Sequence, residues 1–131
     1  MIQDYEQEDV YIAFETDLDP RLNREFISEF DPKQFGINYD IGNSASLGYE
    51  VNDEFRAYGE RIINVHVKDR EFNGNTVPLG EGAVKFDEVV KNLRNVNYQG
   101  NYILQTARAK DNNHAGAIRQ YKCFWIDQMS L

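Results

Sequence analysis

Short, mainly apolar runs alternate along the chain with segments whose apolar residues recur at helical spacing. Runs with few polar residues are typical of strands buried in a parallel sheet. They predict strands at 10–14, 35–39, 62–67 and 102–104. The helical spacing predicts helices at about 19–30, 53–58, 86–93 and 115–129. Four strand–helix units in this order predict an α/β fold with a parallel sheet and right-handed crossovers.

The first unit has the clearest boundaries. Its apolar run at 10–14 is continuous and ends at Glu15, which predicts a strand buried on both faces. An Asp-Pro pair at 19–20 is typical of a helix N-cap followed by a proline in the first turn. A second Asp-Pro pair at 31–32 predicts the end of that helix.

Parallel sheets with alternating helices occur as open doubly wound sheets or as parts of β/α barrels. A doubly wound nucleotide-binding fold normally has a glycine-rich phosphate loop after its first strand. Here the first strand ends in Glu15-Thr16-Asp17 without a glycine, which favours a barrel. In barrels, polar residues at the carboxyl ends of the strands build the active site. The residues in these positions are Glu15, Asp40, His66 and Gln105.

These strand-end residues are two carboxylates, one imidazole and one amide, which would converge on one point if their strands are neighbours. Oxygen ligands with a single imidazole suit Mn²⁺, Mg²⁺ or Co²⁺, and they also bind Zn²⁺. Each residue also has a structural alternative. Glu15 would cap a strand end or form a salt bridge, Asp40 would shape a turn, and His66 would be a satisfied core residue. The joint pattern predicts a divalent-metal site.

Composition limits the kind of protein. The 131 residues are 41% hydrophobic, which predicts one soluble globular domain over 1–131. A net charge of −8 with dispersed basic residues argues against nucleic acid as a partner but allows a small anionic metabolite. An acidic N-terminus and the lack of an apolar run of about 18 residues predict a cytoplasmic protein without a membrane span. Cys123, beside Phe124 and Trp125, is expected to be buried in a helix.

Three ordered strings of residues resemble one known family. They are GINYDIGNS at 36–44, INVHVKDR at 63–70 and VPLGEG at 77–82. Together they resemble the sugar phosphate isomerase/epimerase family of the xylose isomerase-like TIM barrels. The resemblance runs from about Tyr11 to about Arg108 and matches the last four of the family's eight βα units. It implies a C-terminal half-barrel with strands five to eight, without the N-terminal half.

The resemblance also implies a ligand set and a reaction. Glu15, Asp40 and His66 take three of the family's four metal-ligand positions, and Gln105 takes the fourth. Most epimerases of the superfamily have a glutamate there, which also serves as one of two acid/base carboxylates. Gln105 can coordinate a cation through its amide oxygen, but it cannot carry a proton near neutral pH. The expected function is a divalent-metal-dependent isomerase or epimerase of a small sugar or sugar phosphate, with Glu15 as base and an enediolate intermediate.

Polar residues near the strand ends are candidates for substrate contacts. Lys68 and Arg70 either bind substrate hydroxyls or a phosphate, or pair with Asp69 and Glu71 on a solvated loop.

Two further residues have the same pair of alternatives. Asn43 either reaches the substrate or closes the turn after Asp40, and Arg108 either contacts an anion or forms a structural salt bridge. Gly80-Glu81-Gly82 is expected to shape a loop.

A complete barrel has eight strands and about 250 residues, so this chain would leave two open sheet edges. The expected partner is a missing N-terminal half-barrel or a second copy in a homo-oligomer. Open edges and an apolar inward surface without an opposite wall predict an oligomeric or marginally stable chain. The alternative function is a catalytically inactive half-barrel or binding remnant, which Gln105 and the missing half both favour. A DNA-repair endonuclease of the same superfamily is disfavoured by the charge of −8 and only two histidines.

Overall fold

The structure is a computed structural model that describes residues 9–131. The strands are β1 (Ile12–Phe14), β2 (Phe35–Asp40), β3 (Ile62–Val67), β4 (Asp69–Arg70), β5 (Thr76–Val77) and β6 (Asn101–Leu104). The helices are α1 (Pro20–Ser28), α2 (Ile41–Ser46), α3 (Val51–Tyr58), α4 (Phe86–Asn95) and α5 (His114–Met129). Four strands form a parallel sheet in the order β1-β2-β3-β6, and β4 and β5 form an antiparallel hairpin. The four predicted βα units are therefore present.

The two central strands explain how the sheet divides into two faces. Side chains alternate along a strand, so every second residue points to the same face. Ile37 and Tyr39 of β2 and Val65 and Val67 of β3 are all buried in the core under the helices. The intervening residues therefore point to the opposite face, which has no helix layer over it among residues 9–131.

This second face, here called the inner face, carries a row of asparagines. Asn38 pairs with Asn64 in the register of β2 and β3, and Asn64 pairs with Asn101 in the register of β3 and β6. Ile103 is the large apolar residue of β6 on this face and is 46% exposed. The inner face therefore carries both amides and an exposed apolar residue, and the expectation of an apolar inward surface without an opposite wall stays a prediction.

The first strand differs from its prediction. β1 has only three residues, and Val10 and Tyr11, which precede it, are exposed. Its residues are half-buried or exposed, so the prediction of burial on both faces is wrong. The reason is that, within residues 9–131, β1 pairs only with β2 and forms an edge of the sheet.

The boundaries of α1 follow the predicted capping pattern. Asp19 Oδ1 accepts a hydrogen bond from Leu22 N at 2.9 Å, and Pro20 is the first residue of the helix. The helix ends at Ser28, three residues before the Asp-Pro pair at 31–32.

Two elements have no counterpart among the predicted helices and strands. They are α2 and the β4–β5 hairpin, and both lie between predicted elements. α2 begins because Asp40 Oδ1 accepts the N–H of Asn43 at 2.8 Å, and its six residues are too few for an apolar periodicity. The hairpin is two residues long on each side, so alternation cannot be read from it.

A buried carboxylate organises the loop that follows the hairpin. Asp69 is 1% exposed and accepts hydrogen bonds from the backbone N–H groups of Gly80, Gly82 and Val84 at 2.9, 2.9 and 3.2 Å. A Cβ on Gly82 would lie 2.2 Å from Asp69 Oδ1, and Gly80 has a positive φ of 90°. The expected loop-shaping role of these glycines is confirmed for Gly80 and Gly82.

Helix α5 turns a different face to the core than its sequence suggests. Trp125 is buried against Phe86 and Tyr102, whereas Cys123 is exposed. The prediction of a buried Cys123 is therefore wrong, because the two residues lie on different sides of the helix.

No helix in the part of the chain that the structure describes is long and apolar enough to cross a membrane. The acidic segment 1–8, on which the expectation of a cytoplasmic protein partly depends, lies outside the described residues.

A buried acid joins α3 to β2 directly behind the strand end at Asp40. Glu54 is fully buried and accepts hydrogen bonds from the hydroxyl groups of Tyr39 at 2.8 Å and Tyr58 at 3.0 Å. Burial raises the pKa of Glu54 above its ordinary value of 4.5, and the same cause raises the pKa of Tyr39. Tyr39 therefore fixes the core side of the strand whose next residue is Asp40.

We predict that Glu54 makes the protein lose stability as the pH rises above about 4.5, the ordinary pKa of the acid. A carboxyl whose pKa is raised on folding binds its proton more tightly in the folded state, so its contribution is complete below the unfolded pKa and is lost as the pH rises through the folded pKa. The free energy of urea unfolding should be measured from about pH 4 to pH 8 for wild type and Glu54→Gln. The advantage of wild type over the variant should fall with rising pH.

The exposed Glu25, which pairs with Arg21 on α1, provides the matched control. Wild type minus Glu25→Gln should be nearly independent of pH, because the pair is solvent-screened. A flat difference for Glu54→Gln would contradict the predicted coupling.

Candidate metal centre

Three ligand-type side chains converge at the carboxyl ends of neighbouring strands. Glu15, Asp40 and His66 each offer one donor atom, and these atoms lie within 4.8 Å of one another. Glu15 directly follows β1, Asp40 ends β2, and His66 is the penultimate residue of β3. Parallel pairing of the strands brings their ends to one edge of the sheet, and Asp40 and His66 are direct partners in the register.

Asp40 has one oxygen in use and one without a hydrogen bond. Its side chain is 2% exposed, and Oδ1 accepts the N–H of Asn43 that begins α2. Oδ2 is buried and accepts no hydrogen bond from any of the residues 9–131. Lys68 Nζ lies 3.5 Å and His66 Nδ1 lies 3.8 Å from this oxygen. This buried oxygen accepts no hydrogen bond and lies close to Glu15 and His66, which are also possible metal ligands. Such an arrangement fits a divalent cation.

His66 lies between the two carboxylates. Its side chain is 20% exposed, and Nδ1 is 3.3 Å from Glu15 Oε2. The amide nitrogen of Asn38 is 3.4 Å from Nδ1 and 3.3 Å from Nε2. His66 is therefore at the polar face of the sheet and is not a core residue.

Glu15 is held by two amide groups that sequence reasoning did not connect to it. Asn38 Nδ2 donates to Oε2 at 2.8 Å, and Asn43 Nδ2 donates to Oε1 at 3.1 Å. Asn38 was not predicted as a site residue at all. The available signal was its position two residues before Asp40 on the same strand, which places both side chains on one face.

Gln105 lies beside Lys68 at the end of the neighbouring strand β6. Lys68 Nζ donates to Gln105 Oε1 at 3.2 Å and also forms an ion pair with Asp40. The side chain of Lys68 is only 16% exposed, so the alternative of a solvated loop residue is wrong for it. The lysine ammonium links the predicted fourth ligand position to the cluster of Glu15, Asp40 and His66.

Arg70 contacts neither of the two acids that flank it in sequence. Its Nη1 donates to Asn43 Oδ1 at 2.9 Å, while Nε and Nη2 donate to Gly74 O at 3.1 and 2.7 Å. Asp69 is occupied by three backbone N–H groups of the following loop. The alternative in which Arg70 pairs with Asp69 is therefore wrong.

Arg108 lies farther out, in a cleft of about 1040 Å³ next to the cluster. The cleft is bounded by the loop after β5, the loop after β6 and the start of α5, and Lys68 and Gln105 line its inner end. Arg108 is exposed and forms no ion pair within residues 9–131. The alternative of a structural salt bridge is therefore not observed within the described chain.

Comparison with known proteins gives one family and a set of relatives. A family model described as a xylose isomerase-like TIM barrel matches residues 2–127. An uncharacterised protein of Methanocaldococcus jannaschii is 28% identical over 97 residues, covering 72% of this chain and 33% of that protein. A putative L-ribulose-5-phosphate 3-epimerase of Escherichia coli is 33% identical over 86 residues, covering 59% of this chain and 30% of that protein. The chain spans about a third of the length of these relatives.

Solved structures show the same architecture. The IOLI protein, solved with a bound zinc atom, has a TM-score of 0.82 at 19% identity and is matched over 98% of this chain and 52% of its own. A D-tagatose 3-epimerase-like protein has a TM-score of 0.67 at 21% identity, covering 97% of this chain and 52% of that one. The predicted fold class, half of a (β/α)8 barrel with four βα units, is confirmed.

We predict that one Mn²⁺ binds through Glu15, Asp40 and His66, and that His66→Ala weakens the affinity more than about tenfold. Loss of even an outer partner of a metal ligand costs about 10–100-fold in affinity, and His66 would be a direct ligand. Isothermal titration calorimetry would measure the dissociation constants. The other histidine of the chain, His114, begins α5 and is exposed, so His114→Ala is the matched control. Equal affinity of wild type and His66→Ala would contradict this site.

Proposed function

The chain belongs to the xylose isomerase-like TIM barrel family, and on this basis we propose that it carries the catalytic strand ends of a divalent-metal-dependent isomerase or epimerase. The substrate would be a small sugar or sugar phosphate, and the location would be the cytoplasm. The single observation that carries the proposal is the convergence of Glu15, Asp40 and His66 within 4.8 Å. Among the relatives, one is described as an L-ribulose-5-phosphate 3-epimerase of Salmonella paratyphi A and another as a D-tagatose 3-epimerase-like protein.

The donor set supports a divalent cation held by Glu15, Asp40 and His66, with Gln105 or water completing the shell. Two carboxylates and one imidazole suit Mn²⁺, Mg²⁺, Co²⁺ or Zn²⁺. Oδ2 of Asp40 is buried without a hydrogen bond, 3.5 Å from Lys68 Nζ, and is therefore the oxygen of this residue that is available to a cation. The bound zinc of the IOLI structure supports a metal in a protein of this fold.

When bound, such a cation stabilises negative charge that develops on the two adjacent oxygens of a ketose. Glu15 is the proposed base, because it is the more exposed of the two carboxylates of the cluster. Its carboxylate removes the proton from the carbon next to the carbonyl, and the electron pair of the broken C–H bond delocalises into the carbonyl as an enediolate. Return of the same proton to the former carbonyl carbon, together with transfer of the hydroxyl proton from one of the two adjacent oxygens to the other, completes an aldose–ketose isomerisation.

Epimerisation requires a second proton donor on the far face of the same carbon. Gln105 holds the position that resembles that of a family glutamate, and an amide neither gives nor takes a proton near neutral pH. Its oxygen accepts a hydrogen bond from Lys68 instead. The proposal therefore favours one-base isomerisation over two-base epimerisation.

The cleft beside the cluster is the proposed place for the rest of the substrate. Its cations are Lys68, Arg108 and Lys110, and its acids are Glu81 and Asp111. Arg108, which forms no ion pair within residues 9–131, is suited to a phosphate or a hydroxyl-rich sugar, because a guanidinium binds such groups through paired donors.

A second candidate function is an inactive half-barrel that retains binding. One observation favours it, namely the amide at Gln105, where the family resemblance places a glutamate. In that case the cluster would still bind a cation, and no proton transfer would follow.

We predict that Gln105→Glu raises epimerisation relative to isomerisation, whereas Glu15→Gln abolishes both. Glutamine and glutamate have nearly the same size, so only proton transfer should change. The measurement is deuterium incorporation from heavy water into a panel of ketoses and ketose phosphates, with Mn²⁺ present. Gln128→Glu on α5, at a distance from the cluster, is the charge-matched control. Undiminished exchange in Glu15→Gln would contradict the one-base mechanism, and no exchange in any variant would favour the inactive half-barrel.

We predict that the isolated chain self-associates or is only marginally stable. Within residues 9–131, β1 and β6 each have a strand partner on one side only, and parallel edges invite pairing with another chain. The partner would be a second copy or an N-terminal half-barrel. Light scattering at several concentrations, with thermal unfolding, would decide this. A strictly monomeric protein that unfolds cooperatively with high stability would contradict the prediction.

A further inference from the structure

Glu15 is the most exposed member of the metal-ligand cluster, yet both of its carboxylate oxygens are bound. Its side chain is 37% exposed, against 20% for His66 and 2% for Asp40. It follows the three-residue edge strand β1, which pairs on one side only. A carboxylate in this position would sample several rotamers unless neighbouring groups held it.

One chain of hydrogen bonds reaches Glu15 from the hairpin and is here called the arginine relay. Arg70 Nη1 donates to Asn43 Oδ1 at 2.9 Å, and Asn43 Nδ2 donates to Glu15 Oε1 at 3.1 Å. Arg70 is itself anchored, because Nε and Nη2 both donate to Gly74 O in the hairpin turn.

The direction of this relay is fixed by chemistry. A guanidinium has donors only and an ionised carboxylate has acceptors only. The amide of Asn43 therefore must present its oxygen to Arg70 and its NH₂ group to Glu15. In the opposite orientation the NH₂ group of Asn43 would face the donor of Arg70, and the oxygen of Asn43 would face the acceptor of Glu15.

A second chain of hydrogen bonds comes from the inner face of the sheet and is here called the asparagine relay. Asn64 Nδ2 donates to Asn38 Oδ1 at 2.9 Å, and Asn38 Nδ2 donates to Glu15 Oε2 at 2.8 Å. Register pairing of Asn38 with Asn64 places the two amides side by side. Because Asn64 occupies the oxygen of Asn38, the NH₂ group of Asn38 remains for Glu15.

Asn43 also fixes the spacing of the two carboxylates. Its backbone N–H binds Asp40 Oδ1 at 2.8 Å, while its side chain binds Glu15 Oε1. One residue in the first turn of α2 thus holds both acids of the cluster.

We infer that Arg70 and Asn64 are positioning residues for Glu15, each acting through one asparagine. The inference rests on the proposed metal site. It gives Arg70 and Asn43 a positioning role in place of the predicted substrate contact. Three of the donor positions of Arg70 are already used within the protein. The β4–β5 hairpin then serves to hold the arginine in register with Asn43.

The first experiment measures the relays in the metal-free protein. Proton–nitrogen correlation spectra resolve the side-chain NH₂ groups of Asn38 and Asn43, which Asn38→Ala and Asn43→Ala would assign. Arg70→Met should shift the Asn43 signal and speed its hydrogen exchange, and it should leave the Asn38 signal in place. Asn64→Ala should have the converse effect.

The matched control is Arg56→Met, since Arg56 is an exposed arginine that pairs with Asp53 on α3. It should move neither signal. If Arg70→Met does not fold, Arg70→Lys replaces it with the same expectation, because an ammonium cannot bind Gly74 O and Asn43 together through a planar fork.

The second experiment measures Co²⁺ affinity, followed by the visible absorption of the bound ion. Arg70→Met and Asn64→Ala should each weaken binding about tenfold, the usual cost of losing an outer partner of a metal ligand. The double variant with Arg70→Met and Asn43→Ala should bind Co²⁺ no more weakly than Asn43→Ala alone, because both residues act in one relay. The pair Arg70→Met with Asn64→Ala should lose about a hundredfold, because separate paths add.

The outcomes separate the inference from the proposed function. Coupled amide signals in a protein that binds no Co²⁺ would support the relays and contradict the metal site. If the protein binds Co²⁺ but the NH₂ signal of Asn43 does not change in Arg70→Met, the arginine relay is overturned and the metal site is still supported. Simple additivity of Arg70→Met with Asn43→Ala would overturn it as well.

Discussion

The carboxylate of Asp40 connects the fold to the candidate metal site of Glu15, Asp40 and His66. One oxygen begins α2 by accepting the N–H of Asn43, and the other is buried without a hydrogen bond beside His66 and Lys68. Because the first bond fixes the side chain, the second oxygen faces the cluster without any rotamer choice of its own. The same bond places Asn43, whose amide reaches Glu15. Removing the cap would therefore disturb both acids at once.

The inner face of the sheet shows how the barrel half accommodates so many polar groups. Bulky branched residues usually fill the layers inside such a barrel. Here Asn38, Asn64 and Asn101 occupy one layer on adjacent strands, directly below the level of Asp40 and His66. Amides can hydrogen-bond to one another and to water, so this face tolerates solvent. They also offer donors to Glu15, which an aliphatic layer would not do.

The strand ends were predictable because short-range patterns define them. Mainly apolar runs located β2, β3 and β6 to within about one residue, and the polar residue that follows each run is near the site by topology. The sequence offered two alternative roles for Asp40, namely shaping a turn and binding a metal. In the structure Oδ1 caps α2 and Asp40 also belongs to the candidate metal site, so the two roles are compatible. Period-two alternation would also have placed Asn38 on the face of Asp40.

The remaining features depend on contacts between residues distant in sequence. α2 and the hairpin are too short to have a period, and the partners of Arg70 are 27 residues away at Asn43 and on the far side of a turn at Gly74. The exposure of β1 depends on its place at the edge of the sheet, which composition does not reveal. Cys123 is exposed because α5 packs against α4 and β6 with a different side. The helix is only weakly amphipathic, so its sequence does not indicate which side is buried.

The segment 66–70 shows why adjacent charged residues have unrelated roles. Extended backbone sends His66 and Lys68 to the cluster and sends Val67 and Asp69 to the buried side, where they are 0% and 1% exposed. Asp69 therefore cannot neutralise the cations next to it in sequence, and it binds backbone N–H groups of the following loop instead. Lys68 finds its negative partner in Asp40, 28 residues earlier in the chain. Alternation along one strand thus separates an acid that holds a loop from a lysine that faces the candidate metal site.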